Sequence, residues 1–274
     1  MDSVIAFIGC GNMGSSLIGG LIADGVSPGR LRGADTDPAQ CERVRERFGI
    51  AAGTDSTAAA SGAQVVVLAV KPQVARATVT GMAEVLRRER PVLLSIAAGI
   101  RLESLRAWVG ADIPMVRAMP NTPALIRAGA AALYAGPGTK EEHRERAESI
   151  LRAVGAVVWL DDEDLMDAVT ALSGSGPAYF FRMIEALEEA AVELGLSRES
   201  ARLLTLETAL GAARMAMESR LEPAALRRQV TSPGGTTERA LGVLEEGGFA
   251  ALLGKALTAA RDRSRELAEI LKEE

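Results

Sequence analysis

Through the first 160 residues, short apolar runs alternate with longer stretches of helical periodicity. The runs occupy 4–8 (VIAFI), 31–35 (LRGAD), 64–70 (QVVVLAV), 91–97 (PVLLSIA), 113–118 (IPMVRA), 130–134 (AAALY) and 156–160 (AVVWL). Several are apolar at consecutive positions, as strands of a parallel sheet are when helices cover both faces. Asp37-Pro38 predicts a helix N-cap with proline at the first helical position, and Thr139-Lys140-Glu141-Glu142 reads as a capping box opening a helix towards Gly155. After Leu160 the pattern changes. Past the acidic stretch 161–164 no strand signal recurs, and consecutive helices are predicted, with breaks near 173–177, 194–198, 222–223, 232–235 and 247–248. The division is placed at residue 162. It gives an α/β, doubly wound N-terminal domain over 1–162 and an all-α C-terminal domain over 163–274.

One predicted helix, about 199–218, is apolar round most of its circumference: Leu203, Leu204, Leu206, Ala209, Leu210, Ala212, Ala213, Met215 and Met217. Such a helix must be buried on nearly all sides, either within its own domain or against the same helix of a partner chain. The 274-residue length itself favours two domains. The 31 basic and 36 acidic residues are interspersed, with no basic face for nucleic acid, and 3% aromatic content leaves no stacking platform. Two cysteines, Cys10 and Cys41, and one histidine, His143, make neither a disulfide framework nor a metal cluster, so no metal is expected. His143 sits in a charged run and reads as a solvated helix residue. No basic leader precedes the first strand and no apolar run approaches the ~20 residues that span a bilayer, so a cytoplasmic protein without membrane contact is expected.

The first strand runs directly into Gly9-Cys10-Gly11-Asn12-Met13-Gly14 and then a helical pattern. This is G-x-G-x-x-G at a strand-to-helix junction, where the glycines admit a pyrophosphate and the helix N-terminus supplies N–H donors. Asp35, 21 residues beyond Gly14 at the end of the second strand, is the acid that bonds a ribose 2′-hydroxyl and repels a 2′-phosphate. Taken alone it favours NADH. Because Arg30, Arg32 and Arg43 can approach, the cofactor is read as NADPH or NADH. Lys71-Pro72 follows the 64–70 run and Ala97-Ala98-Gly99 the next, both at the ligand-binding end of an open sheet; Met119-Pro120-Asn121-Thr122-Pro123 forms a stiff loop. Two further loops, SGSGPAY (173–179) and VTSPGGTT (230–237), lead into helices and read either as caps or as anion pockets.

Taken in order, GCGNMG, AVKP, AAG, MPNTP, SGSGPAY and VTSPGGTT resemble pyrroline-5-carboxylate reductase over nearly the whole chain. The resemblance implies a Rossmann-type N-terminal domain and a helical dimerisation domain, the homodimers often assembling into decamers. It implies that Gly9, Gly11, Asn12, Met13 and Gly14 hold the pyrophosphate, with Lys71, Pro72, Ala97 and Asn121 around the nicotinamide. Ser232, Gly234, Gly235, Thr236 and Thr237 would receive L-1-pyrroline-5-carboxylate, its ring nitrogen near the catalytic Thr237 hydroxyl. Two positions depart from the family pattern: Asp35, where most members prefer NADPH, and Gln229, where many carry Asn. A β-hydroxyacid dehydrogenase would use a lysine from the second domain, and none lies between Lys140 and Lys255. A dinucleotide-sensing protein without turnover is the other alternative, opposed by the intact TSPGGTT loop.

Overall fold

The computed structural model describes residues 3–273. The β-branched and aliphatic runs become β1 (Ile5–Ile8), β2 (Leu31–Ala34), β3 (Ala51–Gly53), β4 (Val65–Leu68), β5 (Val92–Ser95), β6 (Met115–Met119), β7 (Gly129–Ala135) and β8 (Gly155–Leu160). They form one sheet in the order β3-β2-β1-β4-β5-β6-β7-β8. All neighbours are parallel except β6 and β7, which are antiparallel. The connecting helices are α1 (Asn12–Ala23), α2 (Pro38–Phe48), α3 (Ser56–Ala60), α4 (Pro72–Gly81), α5 (Ala83–Glu89), α6 (Leu102–Val109) and α7 (Glu141–Arg152). Successive strand side chains point to opposite faces, so β4 sends Val65 and Val67 into one core with Phe7, Leu17 and Ile150. Val66 and Leu68 enter the other core, with Ile8, Val79 and Leu105. Helices therefore cover both sides, as the unalternated runs require.

Local chemistry sets the helix ends. Asp37 caps α2 by accepting from the Ala39 N–H at 2.9 Å, with Pro38 following, as the sequence predicts. Helix α7 differs from expectation. It begins one residue later than the Thr139 box, because the Thr139 hydroxyl is taken by the backbone of Met115, donating to its carbonyl at 3.0 Å. His143 replaces glutamate in the box, its Nδ1 accepting from the Lys140 N–H at 3.2 Å. It is only partly solvated: its side chain is 15% exposed, and burial pulls its pKa below the ordinary histidine value.

Beyond β8 a short 3-10 turn, Glu163–Leu165, leads into α8 (Met166–Val169) and a π-turn over Thr170–Gly174. The turn is locked to the sheet through an ion pair between the buried Arg117 on β6 and the half-buried Glu163, at 3.0 Å. Glu163 Oε1 also accepts from the Leu102 N–H at the start of α6. Then come α9 (Gly176–Glu193), α10 (Arg198–Glu218), α11 (Pro223–Gln229), α12 (Thr236–Glu246) and α13 (Phe249–Glu273). Two compact units result: one runs to Ser175 and takes back the chain from Ala259, and the other is Gly176–Thr258. The end of α13 is fastened in the first unit, where Ser264, itself buried, donates to the Asp167 carboxylate at 2.7 Å. In the second unit the helices keep most of their large apolar side chains in water, with Phe181 at 65% exposure and Leu203 at 60%.

Candidate active site

The carboxyl ends of the strands carry the residues singled out in the first unit. Gly9 follows β1, Asp35 follows β2, Lys71 and Pro72 follow β4, Ala97 follows β5 and Asn121 follows β6. Gly9 has φ +97°, and a Cβ there would lie 2.5 Å from the Ala69 carbonyl oxygen. At Gly14 a Cβ would lie 2.3 Å from the Gly9 oxygen. Only glycine permits that strand, turn and helix to meet so closely. Gly11 is different. Its φ is ordinary and nothing lies within 4 Å of where a Cβ would stand, so the space above it is open. Gly11 is also the N-cap of α1 and has no side chain to satisfy the amides of Asn12, Met13 and Gly14. An open cradle over an uncapped helix N-terminus fits a dinucleotide pyrophosphate.

Between Gly9 and Gly11, the Cys10 peptide is held on both sides. Its N–H donates to Asp35 Oδ2 at 2.8 Å, and its carbonyl accepts from the Ser15 hydroxyl at 2.7 Å and from the Gln40 amide. The other Asp35 oxygen accepts from the Asp37 N–H at 3.0 Å. Asp35 thus ties the glycine loop to the turn after β2, and each of its oxygens keeps a second lone pair for a ribose hydroxyl. Sequence reasoning missed Ser15 and Gln40, whose roles depend on where α1 and α2 place them. Burial, reinforced by the Asp35 charge, pushes the Cys10 thiol up to about 12, so it stays protonated.

Lys71 is the exposed N-cap of α4 and has no ion-pair partner among the described residues. Asn121 has both ends of its amide engaged: Nδ2 donates to the Ser173 carbonyl at 3.1 Å and Oδ1 accepts from the Ala130 N–H at 2.9 Å. Ser173 belongs to SGSGPAY, and there the structure corrects the sequence reading. The segment is no free helix N-terminus, because the chain passes from α8 through the π-turn into α9. The Ser175 N–H is consumed by the Thr170 carbonyl at 2.8 Å.

The second unit holds the other loop. Ser232, Gly234, Gly235, Thr236 and Thr237 lie together at the start of α12. Gly235 is an N-cap without a capping side chain, and Thr237 is half-buried in the first turn. Gly234 adopts φ +70°, and its N–H donates to Glu238 at 2.7 Å. The remaining amides of this helix start suit a small carboxylate.

Residues 163–267 match the family described as pyrroline-5-carboxylate reductase dimerisation, and residues 4–99 match NADP oxidoreductase coenzyme F420-dependent. A relative from Pseudomonas aeruginosa named pyrroline-5-carboxylate reductase is 52% identical over 267 residues, 97% of each chain. The chain belongs to the pyrroline-5-carboxylate reductase family. The solved structure of a pyrroline-5-carboxylate reductase from Coxiella burnetii is 44% identical to it with a TM-score of 0.94, covering 97% of this chain and 99% of that one. The Plasmodium falciparum pyrroline carboxylate reductase, solved with NADP bound, is 28% identical with a TM-score of 0.86, covering 97% of this chain and 98% of that one. The family's dimerisation region runs from the turn before α8 into α13 and includes α9 to α12, the helices whose apolar faces stand open here.

Proposed function

We propose that this chain reduces L-1-pyrroline-5-carboxylate to L-proline by hydride transfer from NADPH or NADH, the last step of proline biosynthesis. The observation that carries this reading is a pair of glycine-rich helix N-termini, at α1 and α12, neither closed by a side chain of its own N-cap. The nicotinamide, when bound, supplies the hydride from its C4 position. The protein's task is orientation, because a cyclic imine protonated on nitrogen is already electrophilic at carbon.

In this reading Gly9, Gly11, Asn12, Met13 and Gly14 receive the pyrophosphate, and Asp35 faces the adenosine ribose. Lys71, Pro72, Ala97 and Asn121 surround the nicotinamide half, Asn121 by fixing the loop that its two amide bonds brace. Ser232, Gly234, Gly235 and Thr236 receive the substrate carboxylate. Thr237 hydrogen-bonds the ring nitrogen, whose charge and bonding change as the imine becomes an amine. The functional division falls at residue 162, with 1–162 for the cofactor and 163–274 for substrate and dimerisation. The enzyme works as a homodimer, gathered into a decamer, without nucleic acid. Among the described residues no helix is long and apolar enough to cross a membrane, and two free buried cysteines suit the reducing cytoplasm.

The test is Thr237→Ala. One lost hydrogen bond to a changing charge costs about 1–3 kcal/mol, so kcat/KM is expected to fall roughly 5- to 150-fold while the Kd for NADPH and NADH holds. Turnover of pyrroline-5-carboxylate at the unaltered rate would remove Thr237 from the chemistry.

A further inference from the structure

The SGSGPAY segment is left without a task by the reading above, and the structure places it beside a cavity. The cavity, about 340 Å³, lies in the first unit. Pro72 at the start of α4 and Ala98 and Gly99 after β5 form one side, Leu267 and Leu271 of α13 another, and Thr170 and Ser175 of the π-turn region a third. The first side belongs to the turns after β4 and β5, at the carboxyl end of the sheet, where open α/β folds bind ligands. Gly9 packs on Ala69 at the root of the same β4 turn that leads to Pro72 on the cavity wall. At Gly99 a Cβ would stand 3.2 Å from Leu271 Cδ1, so a side chain there would crowd the wall.

The hydroxyl groups around this cavity are not equivalent. Thr170 Oγ1 donates to the Met166 carbonyl at 2.8 Å, Ser173 Oγ to the Val169 carbonyl at 3.1 Å, and Ser264 Oγ to Asp167. Arg263, also on the wall, is paired with Glu266 at 2.8 Å. Ser175 is the exception: its hydroxyl has no hydrogen-bond partner among the described residues. Its backbone is nevertheless fixed. The Ser175 N–H is bound in the π-turn, Asn121 holds the Ser173 carbonyl, and Gly174 lies so close to Met119 that a Cβ would come within 2.5 Å of its Cε. A π-turn braced so firmly holds one uncommitted hydroxyl at a set place; such turns recur at functional sites.

We propose that Ser175 is a cofactor-binding residue that hydrogen-bonds the carboxamide of the nicotinamide in this cavity. The assignment rests on the dinucleotide reading above. A planar ring suits the apolar walls, and an amide offers both a donor and an acceptor, either of which a hydroxyl can meet. Arg263, the cation on the cavity wall, is already paired with Glu266, so the wall itself holds no free charge for the substrate carboxylate among the described residues.

The test compares two ligands on the full chain by fluorescence titration: NADPH, and 2′-phospho-ADP-ribose, which lacks the nicotinamide. Ser175→Ala is expected to weaken NADPH about three- to tenfold and leave the fragment unchanged, with Ser175→Thr restoring the difference. Equal NADPH affinity in Ser175→Ala and the unaltered chain would overturn the proposal, as would an equal loss for both ligands, the mark of a merely structural role. Gly11→Val separates the two levels. It is expected to lose both ligands, and if it binds both normally the dinucleotide reading itself has failed.

Discussion

The sheet unit and the helical unit treat the same kinds of side chain in opposite ways. In the first, Phe7, Val67 and Leu94 are wholly withdrawn from water; in the second, Leu210 and Met217 stand 47% and 85% exposed. Full burial of such a residue stabilises a fold by about 1.5–3 kcal/mol, so the sheet unit is held together by its own residues. The helical unit leaves that stabilisation for a second surface to supply. Such open apolar faces are in keeping with the dimerisation description that residues 163–267 match.

The largest effect is expected from Leu206→Asp, which sets a charge on the open face of α10. A carboxylate forced into an apolar interface costs several kcal/mol, and sedimentation should show the assembly lost or the chain unfolded. The same charge at Val158, equally apolar and 58% exposed but on the edge strand β8, should leave the assembly intact. If Leu206→Asp sediments as the unaltered protein does, the contrast between the units is wrong.

Next is Arg117→Ala. Removing the guanidinium leaves the half-buried Glu163, its side chain 16% exposed, with the Leu102 N–H and the nearby Arg101 as its remaining partners, at a cost of about 1–3 kcal/mol. Because the pair lies inside the sheet unit, the loss in denaturant midpoint should be the same at low and high protein concentration, whereas damage to an interface changes with concentration. A concentration-dependent loss would blur the distinction.

The smallest effect concerns His143. Its folded pKa is lowered, by burial first, and its Nδ1 must be unprotonated to accept from Lys140. A group depressed in this way contributes stability above its unfolded value near 6.5 and loses it as pH falls through the folded pKa. As the chain's single histidine, it can be followed by one imidazole proton resonance. A midpoint at or above 6.5 would contradict the half-buried capping role.

The first unit was largely legible where neighbours along the chain determine the outcome. Val65-Val66-Val67 could only be a covered strand, Asp37-Pro38 a helix start, and Gly9 to Gly14 a close strand-to-helix turn. What escaped depends on partners distant in sequence. Ala51-Ala52-Gly53 carries no β-branched residue and is a strand only because β2 offers it an edge. Thr139 was taken from its helix by Met115, and Asp35 proved bound to backbone N–H groups at Cys10 and Asp37. SGSGPAY was read as a break because serine and glycine disfavour helix interiors. Tertiary bonds from Asn121 and the fit of Gly174 on Met119 stabilise a widened turn there instead.

Helix α13 has a consequence for the order in which the chain can fold. Its first ten residues belong to the helical unit, while Ser264, Ala268 and Leu271 are built into the sheet unit. The sheet unit is therefore assembled from two stretches of sequence, and residues 176–258 are synthesised between them. During translation at about 5–20 residues per second, the nascent sheet must wait several seconds with the Asp167 side chain and the Gly99 wall uncovered. The helices with open apolar faces, within the region that matches the dimerisation family, emerge in that interval. Closure of one unit and exposure of the other's sticky surface are thus linked in time, and a ribosome stalled after residue 258 would display both at once.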